Sequence, residues 1–426
     1  MPDANPKLKI LRALIRNSDA RGIAALPPLG SRQGAKLMQW LDQSGLALPF
    51  LNSVNSHSAG ACLPAEWRNA LEGRRGRNTV RFQDMLAEFQ RLNDAFRSQG
   101  VTAVTLKGFS LVPDFCEDPS LRHQTDFDFL VNPQDVEAAA EVLQSCGYST
   151  SRLSYSGESC FTTPLHHVPS RTDDLYAVQH HRQVDLHVSL TESSPWFQLD
   201  FPSRGKEGIL PMNISGISYN SLSIEDRFLV QVLHAFRHSF RSWLRLSWLV
   251  EIGHCMDLHH NDDSLWKRLL EQTGNGPLMR RIFAFILSLT HRLFESRIPP
   301  RIELWADEGM TPTLRAWLEH FSEGWAIADW PGSLSNLFLA SDFIGESSLR
   351  KKYLVSRLVP KRERLTIEIR NTSNLKRSLT WQIQRWNYVA HRAAVHLADL
   401  VRLPLEQLRW QRALDSARTG LNQAQS

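Results

Sequence analysis

The sequence predicts a mixed α/β fold, in which a small mixed sheet is embedded in a mainly helical chain. Three observations predict it. A glycine turn, Leu106-Lys107-Gly108, is followed by an alternating acidic strand, Asp126-Phe127-Asp128-Phe129-Leu130-Val131. A second alternating strand, Gln183-Val184-Asp185-Leu186-His187-Val188, lies further on. On both sides of this region apolar residues recur at helical rather than strand spacing.

The elements follow in order. Residues 1–75 carry short helical patterns broken by Pro27-Pro28 and Gly30. From Val80, the positions Phe82, Met85, Leu86, Phe89, Leu92 and Phe96 describe one apolar helix face, with Gly100 as its stop. A strand is expected at Val101–Leu106, then the acidic strand. Asn132-Pro133-Gln134-Asp135 supplies a cap, a first-position proline and an early acid, opening a helix that Gly147 ends. Tyr148–Leu153 reads as a further strand, and the Ser- and Pro-containing stretch after it as irregular. Ser223-Ile224-Glu225-Asp226 resembles a capping box and starts a helix bearing Val232, Leu233 and Phe236. Trp243–Ile252 is again helical, and helices continue to about 415. The expected organisation is a helical region at 1–75, a sheet domain at 76–200, a helical domain at 201–300, and a helical region at 301–426. The last of these contains a basic segment, 350–377, with ten Lys or Arg against two Glu. That segment reads as a solvated helical surface ahead of a polyanion contact, because it lacks interleaved aromatics.

Composition narrows the function classes. At 426 residues, with 42% apolar and 22% charged residues, the chain is an ordinary globular protein of two or three domains. A formal charge of +5 gives no reason to expect DNA binding. No apolar run reaches the length of a membrane span. Five scattered cysteines without a CxxC pair fit a reducing compartment, and the first residues lack a signal-peptide pattern, so a cytoplasmic location is expected. Most of the thirteen tryptophans fall after residue 240, where they suit helix–helix contacts.

The chemistry lies in the acidic strand. Residues two apart on a strand share a face, so Asp126 and Asp128 stand side by side while Phe127 and Phe129 point away. Adjacent carboxylates repel unless a cation lies between them. A solvated strand face would explain the pair alone. The upstream glycine turn and the lone Asp185 in its own apolar strand favour a third reading, a divalent metal on a nucleotide phosphate. Asp126, Asp128 and Asp185 are then the candidate catalytic and metal-binding residues. Gly108 would let the backbone approach a triphosphate, with Lys107, Arg122 and Ser110 as candidate nucleotide contacts. His234 and His238, one helical turn apart, read first as a satisfied buried or surface pair, then as residues lining the cleft, and least as a zinc site, since no acid lies between them. His166, His167, His180 and His181 read as loop histidines. His187 shares strand parity with Asp185.

Leu106-Lys107-Gly108, Leu121-Arg122, Asp126-Phe127-Asp128-Phe129-Leu130-Val131, Gly147-Tyr148 and Asp185-Leu186-His187 together resemble an uncharacterised bacterial nucleotidyltransferase family of the DNA polymerase beta superfamily. The resemblance covers about residues 80–260. It implies a small mixed sheet flanked by helices, with an NTP such as ATP and Mg2+ or Mn2+ at the acidic strand. It also implies transfer of a nucleoside monophosphate to an acceptor hydroxyl of a small molecule, saccharide or protein. Two departures stand out. Phe109 follows the loop glycine, with the serine one step later, and eighteen positions separate Gly108 from Asp126. A non-catalytic nucleotide sensor or interaction protein is the alternative, and a protein-modifying nucleotidyltransferase another.

Overall fold

The computed structural model describes residues 5–14, 23–56, 62–150, 152–155, 157–164, 175–178, 182–190, 192–193, 196, 198–199, 208–240, 244–274, 276–328, 333–358 and 375–424. His166, His167, His180, His181 and most of the basic segment 350–377 lie outside them. A six-stranded mixed sheet is set in a mainly helical chain, as the sequence predicts.

The first helices are α1 (Pro6–Ala13), α2 (Arg32–Ser44), α3 (Ala47–Ser56) and α4 (Ala65–Ser98). The last of these is the helix expected from Val80, but it starts fifteen residues earlier. Residues 65–79 are too polar to show an amphipathic stripe, yet Trp67 and Leu71 are fully buried against α3 and anchor the extra turns. Gly100, at φ +69°, ends the helix, and the amide of Val101 donates back to the carbonyl of Phe96 at 3.0 Å.

The strands are β1 (Val104–Thr105), β2 (Asp126–Leu130), β3 (Glu158–Thr162), β4 (Gln183–His187), the small pair β5 (Glu192–Ser193) and β6 (Gln198–Leu199), and the hairpin β7 (Ile209–Ile214) and β8 (Ile217–Leu222). Helix α5 (Val136–Ser145) lies between β2 and β3. Strand order in the large sheet is β3-β4-β2-β1-β8-β7. β2 runs parallel to β4 and β1 parallel to β8; the other pairs are antiparallel.

Two expectations are corrected. The strand read at Tyr148–Leu153 is a single bridge, Ser149 to Thr162, and the edge strand β3 occupies the stretch read as irregular. The β7–β8 hairpin, absent from the sequence reading, turns through Ser215 and Gly216, both at positive φ, the twist that suits a two-residue hairpin.

The sheet has unlike faces. Phe127, Phe129, Val184 and Leu186 point to an apolar layer with Phe89 and Phe96 of α4 and Leu143 of α5. The aromatic rings of Phe89, Phe109, Phe127, Phe129 and Tyr219 stack there at centroid distances of 4.7–6.2 Å. The opposite face carries Asp126, Asp128 and Asp185. It is approached by α6 (Ile224–Phe240), which opens where the capping pattern predicts: the hydroxyl of Ser223 accepts from the amide of Asp226 at 3.3 Å. The helices α7 (Leu246–Leu258), α8 (Asp263–Thr273), α9 (Pro277–Phe294), α10 (Pro300–Asp307), α11 (Pro312–Ile327), α12 (Ser333–Phe343), α13 (Ser347–Leu358) and α14 (Leu375–Ala424) follow. Together with α1–α3 and α6 they enclose a second, larger core rich in buried tryptophan, including Trp266 and Trp317. Among the described residues no helix is long and apolar enough to cross a membrane.

Candidate nucleotide site

The acidic strand and its partner are in register: Asp126 lies opposite Gln183 and Asp128 directly opposite Asp185. Alternation therefore gathers three carboxylates on one face, two of them, Asp128 and Asp185, almost fully buried. Asp128 is the hub. Its Oδ1 accepts from Lys107 Nζ at 2.8 Å and from His187 Nε2 at 3.1 Å. Burial pushes its pKa up, but Lys107 and His187 outweigh that and hold it far below the usual carboxylate range. Burial works equally against the Lys107 charge, and Asp128 overcomes it, raising the lysine above its ordinary value.

Among the described residues neither of the other two acids forms an ion pair. Burial and the nearby charge of Asp128 push Asp126 up, and its hydroxyl partner is Thr125 at 3.3 Å. Asp185 accepts from the amide of Gln183 at 2.9 and 3.0 Å and from the thiol of Cys160; burial and Asp128 raise it to about 7. Asp126 and Asp185, both raised by burial and by the charge of Asp128, form with it a set of hard oxygen donors. Among the described residues no group of three or more His, Cys, Asp and Glu side chains is placed to hold a metal ion.

A cavity of about 390 Å³ opens beside this face, lined by Lys107, Gly108, Asp126 and Asp128 from the sheet side and by His234 and Trp248 from α6 and α7. Gly108 begins a short 3-10 turn, Gly108–Leu111, at φ +65°. A Cβ there would lie 2.3 Å from the end of the Gln124 side chain, which would have to swing aside, so it is the conformation that favours glycine. Ser110 is turned inward: it is fully buried, its hydroxyl donates to the Lys107 carbonyl at 3.4 Å, and its own carbonyl accepts from Arg227 at 2.6 Å. Arg122 does line the cavity, but its guanidinium is engaged by Glu251 at 2.9 Å. His234 is kept neutral by burial, which lowers its pKa well below the usual value, and packs 4.4 Å from the Trp248 ring.

Several residues of the site are missing from the sequence reading. Asn78 and Arg81 of α4 hold the segment before the acidic strand. Asn78 donates to the carbonyls of Ser120 and Arg122, at 2.5 and 3.2 Å, and Arg81 to Gln124 at 3.1 and 2.6 Å. Their signal is positional, because both lie on the extension of the apolar stripe of Met85 and Phe89, where a polar residue must be buried. His123 donates to or accepts from its surroundings as a neutral ring: burial and the charge of Arg245 lower its pKa to about 3, and its Nε2 lies 2.6 Å from the Leu175 carbonyl.

The acid-bearing parallel strand pair, the glycine turn and the cavity beside them together form the candidate site. The family model described as uncharacterised nucleotidyltransferase matches residues 31–295, and the chain belongs to that family. Neither a curated protein nor a solved structure matches the chain.

Proposed function

We propose that the protein transfers a nucleoside monophosphate from an NTP to an acceptor hydroxyl, releasing pyrophosphate. The observation that carries this reading is the set Asp126, Asp128 and Asp185 on one sheet face beside a cavity with a lysine and a glycine turn, in a chain of nucleotidyltransferase family.

Each residue has a role in this reading. Asp126 and Asp128 would hold the cation of a metal-bound triphosphate, and Asp185 a second one. A divalent ion bound there would neutralise charge on the phosphate oxygens. Lys107 exchanges Asp128 for a phosphate oxygen when the nucleotide enters, since a phosphate is the one partner that can replace a buried carboxylate without stranding the ammonium. Gly108 lets the backbone come close to the phosphates. Asp185, raised to about 7 by burial and by Asp128, would take the proton of the acceptor hydroxyl in its carboxylate form. His234 and Trp248 offer flat, neutral surfaces for the base.

The experiment is calorimetric titration of ATP, GTP, CTP and UTP with magnesium into the wild type and the Asp126→Asn/Asp128→Asn double variant, followed by a labelled-NTP transfer assay with cell extract. Magnesium-dependent binding lost in the double variant is expected, with at least a hundredfold loss of transfer in each single variant. Full transfer by either folded single variant would overturn the assignment of the carboxylates.

A further inference from the structure

Behind the candidate nucleotide cavity lies a second one of about 460 Å³, and Arg122, His123, Arg245 and Trp248 line both. Three of these four side chains are accounted for. Arg122 is neutralised by Glu251, His123 is an uncharged ring, and Trp248 is an apolar wall.

Arg245 is different. Among the described residues no carboxylate pairs with it, its Nε is buried without a partner, and its only hydrogen bonds are long ones to His123, 3.4 Å to the carbonyl and 3.5 Å to Nδ1. The comparison with the neighbouring arginines is sharp: Arg74 is paired with Asp42, and Arg81 is held by four contacts to backbone carbonyls. Arg245 is half-buried and lines both cavities, so its guanidinium, held only by long neutral contacts, can take an anion from them. Burial and the charge of Arg122 lower its pKa.

A second positive feature converges on the same point. Arg245 is the N-cap of α7, a thirteen-residue helix, and no side chain caps that end. Its first-turn amides and the helix dipole therefore favour an anion. Gly45, the left-handed C-cap of α2, faces this corner so closely that a Cβ would lie 2.5 Å from Ser247 Oγ and 3.1 Å from Arg245 Nε. Gly45 thus lets the end of α2 pack directly against the Arg245–Ser247 corner.

We propose that Arg245 and the open N-terminus of α7 bind a phosphoryl group in the wall between the two cavities. A tetrahedral oxyanion presents several oxygens at once, so it can accept from the guanidinium fork and from helix amides together. Its source is either the tail of the nucleotide or a phosphorylated acceptor seated in the rear cavity. The site rests on the nucleotide reading only for that choice of source.

The test uses inorganic pyrophosphate and inorganic phosphate as probes, without metal and with EDTA present, on the full chain. The wild type should bind pyrophosphate, R245Q should weaken it at least tenfold, and R245K should keep part of it. R245Q without ligand should melt at or above the wild-type temperature, because a cation beside Arg122 with no carboxylate of its own is removed, and should lose the ligand-induced rise in Tm. The Asp126→Asn/Asp128→Asn variant should still bind pyrophosphate while losing magnesium-dependent NTP binding, which separates this site from the nucleotide reading. With magnesium, weaker NTP binding by R245Q assigns the phosphoryl group to the nucleotide. Unchanged NTP binding with inorganic phosphate binding lost assigns it to the acceptor. No pyrophosphate binding by the wild type, or undiminished binding by folded R245Q, overturns the proposal. If R245Q does not fold, undiminished binding by R245K with a lowered Tm does the same, by marking Arg245 as structural.

Discussion

Asp128 and Asp185 face each other in register across the parallel pair β2·β4, and the fold gives the two carboxyls opposite characters. Asp128 is held ionised by Lys107 and His187. Asp185 has neutral partners among the described residues, the amide of Gln183 and the thiol of Cys160, so burial and its neighbour's charge raise it to about 7. One strand pair thereby presents a permanent anion beside a group that switches near neutral pH, the separation of pKa values that acid–base chemistry uses.

That switch has a stability signature. The pKa of Asp185 is higher folded than unfolded, so between about pH 4 and pH 7 the native state binds more protons at this group. Its contribution is complete below the unfolded pKa and is lost as pH rises through about 7. His123 and His234, both lowered by burial, act in the opposite sense, losing stability as pH falls below the ordinary histidine range. Comparison with Asp185→Asn cancels them. Urea unfolding from pH 5 to pH 8 should show the variant gaining on the wild type by roughly 2 kcal/mol across that range. A difference independent of pH would remove the raised Asp185 pKa from the picture. Metal-dependent NTP binding by the wild type should strengthen over the same range, since metal ligands must be ionised.

Lys107 and Asp128 are 18% and 7% exposed, so their ion pair is largely buried. Lys107→Ala leaves a buried carboxylate with His187 alone and should destabilise the chain by about 3 kcal/mol. Adding Asp128→Asn removes the stranded charge and should recover much of the loss. A double-mutant cycle by denaturant unfolding measures this. Additive losses would mean that the pair is not coupled in solution.

The parts of the site visible in the sequence are those that depend on local alternation. Asp126 and Asp128 beside Phe127 and Phe129 announce a two-faced strand, and Asp185 between Val184 and Leu186 announces its neighbour. The parts that stayed hidden depend on partners distant in the chain. Strand β3 is an edge with only Ser159 and Phe161 turned inward, and it pairs with β4 across a long connection, so its own pattern is too short to read. In the β7–β8 hairpin, Pro211 and Asn213 break the apolar alternation on an edge strand, where such residues are tolerated. Ser110 shows the converse: proximity to Gly108 in sequence suggested a phosphate contact, whereas a 3-10 turn rotates it into the core. Arg245 belongs to no motif. Its significance comes from what surrounds it in space, which only tertiary structure supplies.

Gly108→Ala tests the turn. The substitution places a Cβ at φ +65° and forces aside Gln124, whose Nε2 donates to the Asp126 carbonyl at 2.8 Å. Backbone strain and the lost hydrogen bond should together cost about 2 kcal/mol of stability and weaken NTP binding at least tenfold. Adding Gln124→Ala relieves the collision but not the strain, so it should restore only part of either. Calorimetry with ATP and thermal unfolding of the two variants check this; wild-type affinity in Gly108→Ala would show that the backbone does not need to come close to the ligand.

Arg122 and Glu251 offer a prediction in which stability and affinity move apart. The pair is buried, 14% and 8% exposed, and the second carboxylate oxygen of Glu251 accepts from Gln231 at 2.8 Å. Glu251→Gln keeps the shape and leaves the guanidinium without its counter-charge, which should destabilise the protein by about 3 kcal/mol. The freed cation lines the candidate nucleotide cavity, so the same change should tighten binding of an anionic ligand. Arg122→Ala should instead weaken that binding while also destabilising, because Glu251 then loses its cation. Urea unfolding and ATP titration on the two variants decide it. A Glu251→Gln protein that is less stable yet binds ATP no better would make Arg122 a structural tie between α7 and the segment before β2, with no contact to phosphate.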